Sequence, residues 1–380
     1  MRDGWRAGLG GVVGLLLAAS FATPLTTSSR SARLNPATAL ASGTAFACAL
    51  STSGHVACWG DNREGQLGPG RPTPRDPQPR DVAGLAGPAV ALAAGYAHAC
   101  ALLVSGEVEC WGANANGQLG DGRRDPRSTP TPVSSLGPGS GVVALVASQN
   151  TTCAERSGST SSPVWCWGQG EGRNGDALTP VPVAGVPRGS KLASPSCALS
   201  PSGQVWCWNS AEMGASPLRP PFSSGPAVFT SGVHQLASTG LALCALTGRR
   251  VSCVGENLEG QLGLGVVGGS RSSPARVLDL PPSRYVAGGY GDVCSISLHG
   301  ALWCWGLNLN GQLGDGGTLV SPLPQPVLGL SSGVTSVAFG AASTCALAYS
   351  EVWCWGDNSN GQLGDGSVLS SLSPRLVALS

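Results

Sequence analysis

Fourteen cysteines, set in close pairs, constrain this 380-residue chain more than any of its other features. Cys48 pairs with Cys58, Cys100 with Cys110, Cys153 with Cys166, Cys197 with Cys207, Cys244 with Cys253, Cys294 with Cys304 and Cys345 with Cys354. Their first members stand 52, 53, 44, 47, 50 and 51 residues apart, so a unit of nearly 50 residues recurs seven times. A period of that kind displaces the two or three unrelated domains that the length alone would suggest. Between the cysteines of a pair lie an apolar segment, a Gly- or Ser-bearing turn and a second apolar segment, as in Cys100-ALLVSGEVE-Cys110 and Cys244-ALTGRRVS-Cys253. This is the pattern of a β-hairpin.

Hairpin geometry then predicts the disulfides. A gap of ten residues, as between Cys100 and Cys110, centres on a three-residue loop at Ser105, and a gap of nine centres on a two-residue loop. Both place the two cysteines opposite one another, with Cα atoms ~4.5–5.5 Å apart and within reach of a disulfide. Each bridge closes about ten residues and is worth at most ~2.7 kcal/mol in the chain-entropy model. It stiffens one unit and joins no two. Zinc is disfavoured, because no C-x₂₋₄-C spacing occurs and His55, His98, His234 and His299 occupy unrelated positions in their units.

The same words recur around the cysteines: an apolar segment such as ALAAG (91–95), Cys-Ala-Leu, Cys-Trp-Gly, Asn-x-x-Gly-Gln-Leu-Gly-Asp-Gly, and a Pro-bounded segment. Each unit reads as four short strands. No stretch of helical period is free of Gly and Pro, so alternating strand-and-helix folds are disfavoured. The expectation is an all-β fold: a seven-bladed β-propeller over residues 38–380, with four-stranded antiparallel blades and one disulfide in each. The 57 Gly and 29 Pro residues, nearly the level of a disordered chain without periodicity, accord with such a repeat.

The string CALxxxGxVxCWGxNxxGQLGDG closely resembles the repeat of the regulator of chromosome condensation family, in its cysteine-bridged, exported bacterial form. The resemblance is strongest in units one, two, six and seven, where Cys-Trp-Gly and Gly-Gln-Leu-Gly both stand (58–60 with 65–68, 110–112 with 117–120, 304–306 with 311–314, 354–356 with 361–364). Unit five keeps the second motif at 260–263 but has Val254 in place of the Trp. Units three and four carry Gly168-Gln169-Gly170-Glu171 and Asn209-Ser210-Ala211-Glu212 instead, so altered loops are expected there. The resemblance implies a propeller and a binding role. The family's founding member is a nuclear exchange factor for the Ran GTPase, and a secreted propeller of similar repeats inhibits β-lactamase through one face.

Compartment and charge narrow these implications. Arg2 and Arg6 precede an apolar run from Gly8 to Ala19 and small residues at Ser20 and Ala22, so residues 1–22 read as a secretory signal followed by a flexible polar lead over 23–37. The run is too short for a membrane span, and no later stretch supplies one. Export and predicted disulfides set the chain outside any compartment that holds GTPases, in the periplasm, at the cell surface or in the medium. A net charge of +1 removes the electrostatic basis for nucleic-acid binding. A protein partner and a monomeric state are expected. Carbohydrate or cell-wall binding is an alternative, supported by few loop aromatics: Tyr96, Tyr290 and Phe222.

Catalytic signatures are absent: there is no G-x-S-x-G, HExxH, Walker loop or dinucleotide glycine pattern. The segments before each first cysteine, expected to be innermost, carry no Asp or Glu. The Trp residues, including Trp165 and Trp167 flanking Cys166, are assigned to packing between blades. The Asn and Gln of the loop motif are assigned to bonds with loop backbone. Asp357-Asn358-Ser359-Asn360-Gly361 resembles the start of a calcium loop, but Val368 stands where a bidentate Glu is required. No enzyme activity, cofactor or metal is expected. Arg63, Arg71, Arg75 and Arg80 are balanced by Asp61, Glu64, Asp76 and Asp81. The candidate interface consists of Tyr96 and Tyr290, at equivalent places before the first cysteine, with His98 and Asp292, another equivalent pair.

Overall fold

The computed structural model describes residues 36–70, 73–172, 175–194, 196–208, 229 and 231–379. The expected signal at 1–22, most of the polar lead, Arg71, Asn209–Glu212 and Phe222 lie outside the described residues. Each unit forms its own antiparallel sheet, in chain order from the inner strand a to the outer strand d. Blade 1 comprises β1 (Ala37–Ser42), β2 (Phe46–Ser51), β3 (Val56–Asp61) and β4 (Arg75–Asp81); blade 2, β5 (Ala89–Ala94), β6 (His98–Leu103), β7 (Val108–Gly112) and β8 (Arg127–Pro132). Blade 3 comprises β9 (Val142–Ser148), β10 (Thr151–Arg156), β11 (Val164–Gly172) and β12 (Gly175–Pro182); blade 4 shows β13 (Lys191–Ser194), β14 (Cys197–Leu199) and β15 (Val205–Cys207). Blade 5 comprises β16 (Val233–Ser238), β17 (Ala242–Thr247), β18 (Arg250–Glu256) and β19 (Ser270–Arg276). Blade 6 comprises β20 (Ser283–Gly288), β21 (Asp292–Ser297), β22 (Leu302–Gly306) and β23 (Ser321–Pro326). Blade 7 comprises β24 (Val334–Phe339), β25 (Ser343–Ala348), β26 (Glu351–Gly356) and β27 (Ser371–Leu376).

All seven expected disulfides are present, each joining strands b and c of one blade. Cys48 is bridged to Cys58, Cys100 to Cys110, Cys153 to Cys166 and Cys197 to Cys207. Cys244 is bridged to Cys253, Cys294 to Cys304 and Cys345 to Cys354. In every hairpin register the two cysteines stand directly opposite, whether the gap is ten residues, as from Cys294 to Cys304, or nine, as from Cys345 to Cys354. The bridged Cα atoms of Cys48 and Cys58 lie 4.1 Å apart, slightly closer than an unbridged pair. No cysteine is free. Seven bridges are the chemistry of an oxidising compartment, and no helix among the described residues is long and apolar enough to cross a membrane.

The ring is held by a bond that crosses from unit to unit. In blade 2 the indole of Trp111 donates to the main-chain carbonyl of Gln66, in the Gly-Gln-Leu-Gly loop of blade 1, at 2.9 Å. The same bond joins Trp167 to Gln118, Trp305 to Gln261 and Trp355 to Gln312. Trp59 of blade 1 completes the set by donating to Gln362 of blade 7, which closes the ring without a shared blade. All five indoles are buried, each in an apolar cluster shared with the neighbouring unit. Trp165 is half-buried instead, with the Arg156 guanidinium 4.9 Å from its ring centre. The glycine that ends each motif permits the approach: at Gly364, with φ of 67°, a Cβ would stand 2.6 Å from the Trp59 Nε1.

Blades 3 to 5 break the pattern as the sequence anticipates. In blade 3 the motif loop is replaced by a long hairpin, β11 running to Gly172 before β12 begins at Gly175. Trp208, the next Trp in line, has an indole N–H with no partner among the described residues. Blade 4 has no Gly-Gln-Leu-Gly in its sequence, and blade 5 presents buried Val254 where an indole would have sought that loop.

Candidate interaction face

Strand order puts two kinds of connection on one face of the propeller: the a–b turns around the mouth of the central channel and the longer c–d loops outside them. The channel, about 450 Å³, is lined by small and apolar residues of the inner strands together with Gln149, Gln235 and several serines. Among the described residues no Asp, Glu, Lys or Arg lines it.

The turns at the mouth are braced against each other. Ala341 N–H donates to Thr44 O at 3.0 Å, Thr44 N–H to Tyr96 O at 3.1 Å, and Tyr96 N–H to Gln149 O at 2.6 Å, a backbone chain from blade 7 to blade 3. Gly95 makes the close approach possible, since a Cβ there would lie 2.4 Å from Gln149 O. Tyr96, at 38 % exposure, therefore projects from a braced turn, and Tyr290, at 60 %, projects from the equivalent turn of blade 6, which lies outside that chain.

The other two candidate interface residues are corrected by the structure. His98 and Asp292 are buried, because the first residue of each b strand is covered by the next blade. His98 Nε2 lies 2.8 Å from the Thr152 hydroxyl of blade 3. That hydroxyl donates onward to Gln118 O, so Nε2 carries the proton, and Nδ1 has no partner among the described residues. Burial pushes the His98 pKa down to about 3. Asp292 sits beside Gly289, whose other neighbour is Phe339 of blade 7. Burial pushes its pKa up to about 7, partly offset by its own backbone N–H and that of Tyr290. The two groups lie in blades 2 and 6 and form no pair.

The motif polar residues hold the c–d loops from within. In each regular loop the Asn carboxamide oxygen accepts from the motif Leu N–H, as Asn308 does from Leu313 at 3.0 Å, while its nitrogen donates to carbonyls farther along, Gly317 and Leu319. The Gln side chain accepts from the N–H two residues earlier, as Gln312 does from Asn310. In the calcium-like stretch both Asp357 oxygens are taken up by Ser359, Gln362 and Ser370. No group of three or more His, Cys, Asp or Glu among the described residues is placed to hold a metal ion.

The outer residues of these loops divide the face in two. Blades 1 and 2 present charges that pair locally, Arg63 with Asp61 at 2.7 Å and Arg124 with Asp176 at 2.8 Å. Arg75 donates to Ser359 O, and Arg80 pairs with Asp76. Blades 5, 6 and 7 instead expose aliphatic side chains: Leu258, Val266, Leu309, Leu319 and Leu369. Sequence reasoning on aromatics missed them. Their signal was an aliphatic residue standing among Gly, Ser and Asn just before or after the motif, where no core position is available.

Seven sequence-continuous blades, each with its own disulfide, and a single face carrying both rim tyrosines and loop aliphatics, define a repeat-built propeller with a surface suited to binding. The chain belongs to the regulator of chromosome condensation repeat family. One model of that repeat matches residues 53–102, 105–154, 299–347 and 350–380, and a second matches 37–66, 89–118 and 334–362. The matched stretches omit most of blades 3 to 5, where the motif is lost. The human E3 ubiquitin-protein ligase HERC2 is 28 % identical over 370 residues, covering 90 % of this chain but 6 % of that protein. The Arabidopsis thaliana ultraviolet-B receptor UVR8 is 28 % identical over 279 residues, 67 % of this chain and 62 % of the receptor. The chain thus spans less than two thirds of either relative. Among solved structures, Prp20p from Saccharomyces cerevisiae, described with its binding to Gsp1p and histones, superposes with a TM-score of 0.73 at 23 % identity, covering 86 % of this chain and 87 % of that one. The ectodomain of the Arabidopsis thaliana receptor kinase ACR4 gives 0.52 at 19 % identity, covering 91 % and 100 %. These two likenesses establish the fold.

Proposed function

We propose that this chain is an exported, non-enzymatic propeller that binds a protein through the face bearing the mouth turns and motif loops, acting as a monomer. The observation that carries the reading is the gathering of large exposed apolar side chains on that face, from Tyr290 at the rim to Leu319 and Leu369 on the loops. Exposed apolar groups side by side mark interaction sites on soluble proteins. Seven disulfides support export, together with the signal-like residues 1–22. The same bridges weigh against the exchange-factor reading by family analogy, which requires a reducing compartment that holds a GTPase. Inhibition of an exported enzyme such as a β-lactamase is one form the binding could take, and carbohydrate binding has only the two rim tyrosines in its favour.

Site-specific photocrosslinking tests the reading. A photoreactive residue at Tyr290 on the loop face should capture a discrete polypeptide from native exported material, and the same probe at Tyr349, on the b–c hairpin of the opposite face, should not. Equal capture at both positions, or glycan alone at Tyr290, would overturn it.

A further inference from the structure

The aliphatic half of the loop face also carries an excess of negative charge. The three c–d loops of blades 5, 6 and 7, residues 257–269, 307–320 and 357–370, contain four carboxylates, Glu259, Asp315, Asp357 and Asp365, and no Lys, Arg or His. None of the four is ion-paired among the described residues. Asp315 and Asp365 each use Oδ1 inside the loop, accepting from Asn308 and Gly317 and from Asn358 and Ser367, and leave Oδ2 without an internal donor. Arginines stand in the corresponding segments of blades 1 to 4, where Arg63 and Arg124 are ion-paired, and Arg271 lies just beyond the blade 5 loop in β19.

The three loops form one surface and not three separate ones. Each leans on the start of the next blade's outer strand: Gly260 of blade 5 packs on Pro322 of blade 6, and Gly311 of blade 6 on Leu372 of blade 7. Leu258, Leu309, Leu319 and Leu369 stand on these adjoining loops, exposed at 54 %, 66 %, 83 % and 75 %, in the same loops as the four carboxylates. Apolar side chains in such numbers oppose solubility unless covered, and unpaired carboxylates specify the sign of what covers them.

We infer that the arc across blades 5, 6 and 7 is the docking surface for a protein segment of amphipathic, cationic character, one that sets aliphatic side chains against the leucines and Lys or Arg against the carboxylates. The inference rests on the proposed protein-binding role and names the chemistry of the partner. A second copy of this chain fits less well, because Arg63 and Arg124 of its loops are already ion-paired, with Asp61 and with Asp176 of blade 3.

The test uses the oxidised full chain and a labelled helical Leu/Lys peptide of about 14 residues, with a Leu/Glu peptide of the same pattern as control. Fluorescence anisotropy should show saturable binding of the Leu/Lys peptide alone. The affinity should weaken by about tenfold in Leu309→Ser/Leu369→Ser, weaken in Asp315→Asn/Asp365→Asn, fall with added salt, and stay unchanged in Tyr349→Ser on the opposite face. Circular dichroism and disulfide content would confirm that each variant folds. Binding of both peptides alike, binding indifferent to the patch variants, or no binding would overturn the inference. So would concentration-dependent self-association abolished by Leu309→Ser/Leu369→Ser, which would assign the arc to a second copy. Photocrosslinking at Tyr290 separates the two levels: a captured protein without a basic amphipathic segment sinks this inference alone, whereas no protein captured at that face sinks the parent reading too.

Discussion

The arc of blades 5–6–7–1–2–3 and the stretch from blade 3 through blade 4 into blade 5 are built from the same disulfide-bridged hairpins, yet they are joined differently. At five successive blade boundaries an indole N–H reaches back to a motif glutamine carbonyl in the preceding unit. At the two boundaries of blade 4 the pair is incomplete: Trp208 has a donor without a described acceptor, and at the next boundary both the motif loop and the Trp are replaced. The Trp and the Gly-Gln-Leu-Gly loop thus act as one device divided between neighbours. After the unit without the loop, blade 5 has Val254 in place of the Trp, whereas blade 4 keeps Trp208 after the altered loop of blade 3. The disulfide follows a different rule, because it satisfies a single hairpin and is kept in all seven blades.

The largest way to break the comparison is to empty an indole site. Trp111→Ala should destabilise the oxidised protein by about 3–5 kcal/mol, as buried Trp truncations do, whereas Trp208→Ala, at a half-buried site whose indole has no partner among the described residues, should lose about a third of that; guanidinium unfolding measures both. Two of the buried titratable groups, His98 and Asp292, come next, with opposite signs. His98 is neutral in the fold, so stability is lost as pH falls from about 6.5 towards 3. Asp292 is held protonated, so stability is lost as pH rises from about 4 to 7. Between these limits the two slopes oppose one another. In His98→Gln stability should decline steadily from pH 4 to 7, and in Asp292→Asn it should climb over the same interval, each by at most about 4 kcal/mol; parallel profiles in the two variants would refute the burial account.

A smaller effect is expected from the bridges. Cys100→Ala/Cys110→Ala and Cys197→Ala/Cys207→Ala open loops of equal length, each spanning a sequence separation of 10, so both should lose at most ~2.7 kcal/mol. Limited proteolysis should nevertheless cut the blade 4 variant first, since no indole bond among the described residues secures that blade to either neighbour. Cleavage of the blade 2 variant first would reverse the comparison.

Much of this fold was legible in the sequence because the hairpin is local: cysteine spacing fixes register, register fixes the disulfide, and seven repeats fix the blade count. The packing role of the tryptophans was legible for the same reason. Their hydrogen bonds were not, since Trp111 and Gln66 belong to different units and neither word alone indicates the other. The interface candidates show the limit most clearly. Tyr96 and His98 are two residues apart, and the sequence marks both as exceptional, yet only the neighbouring blade decides that one is exposed and the other covered. The aliphatic arc escaped notice for the complementary reason: a leucine among glycines reads as core until the loop is seen to lie outside the ring.

The indole N–H is what joins each regular blade to the one before it. Replacing Trp111 by its benzothiophene analogue, which keeps the shape and deletes the donor, should destabilise the protein by about 1–2 kcal/mol, the penalty of leaving the Gln66 carbonyl buried and unbonded. The same replacement at Trp208 should change nothing. Equal losses at the two positions, or no loss at Trp111, would contradict the claim that this bond between units holds the regular arc together.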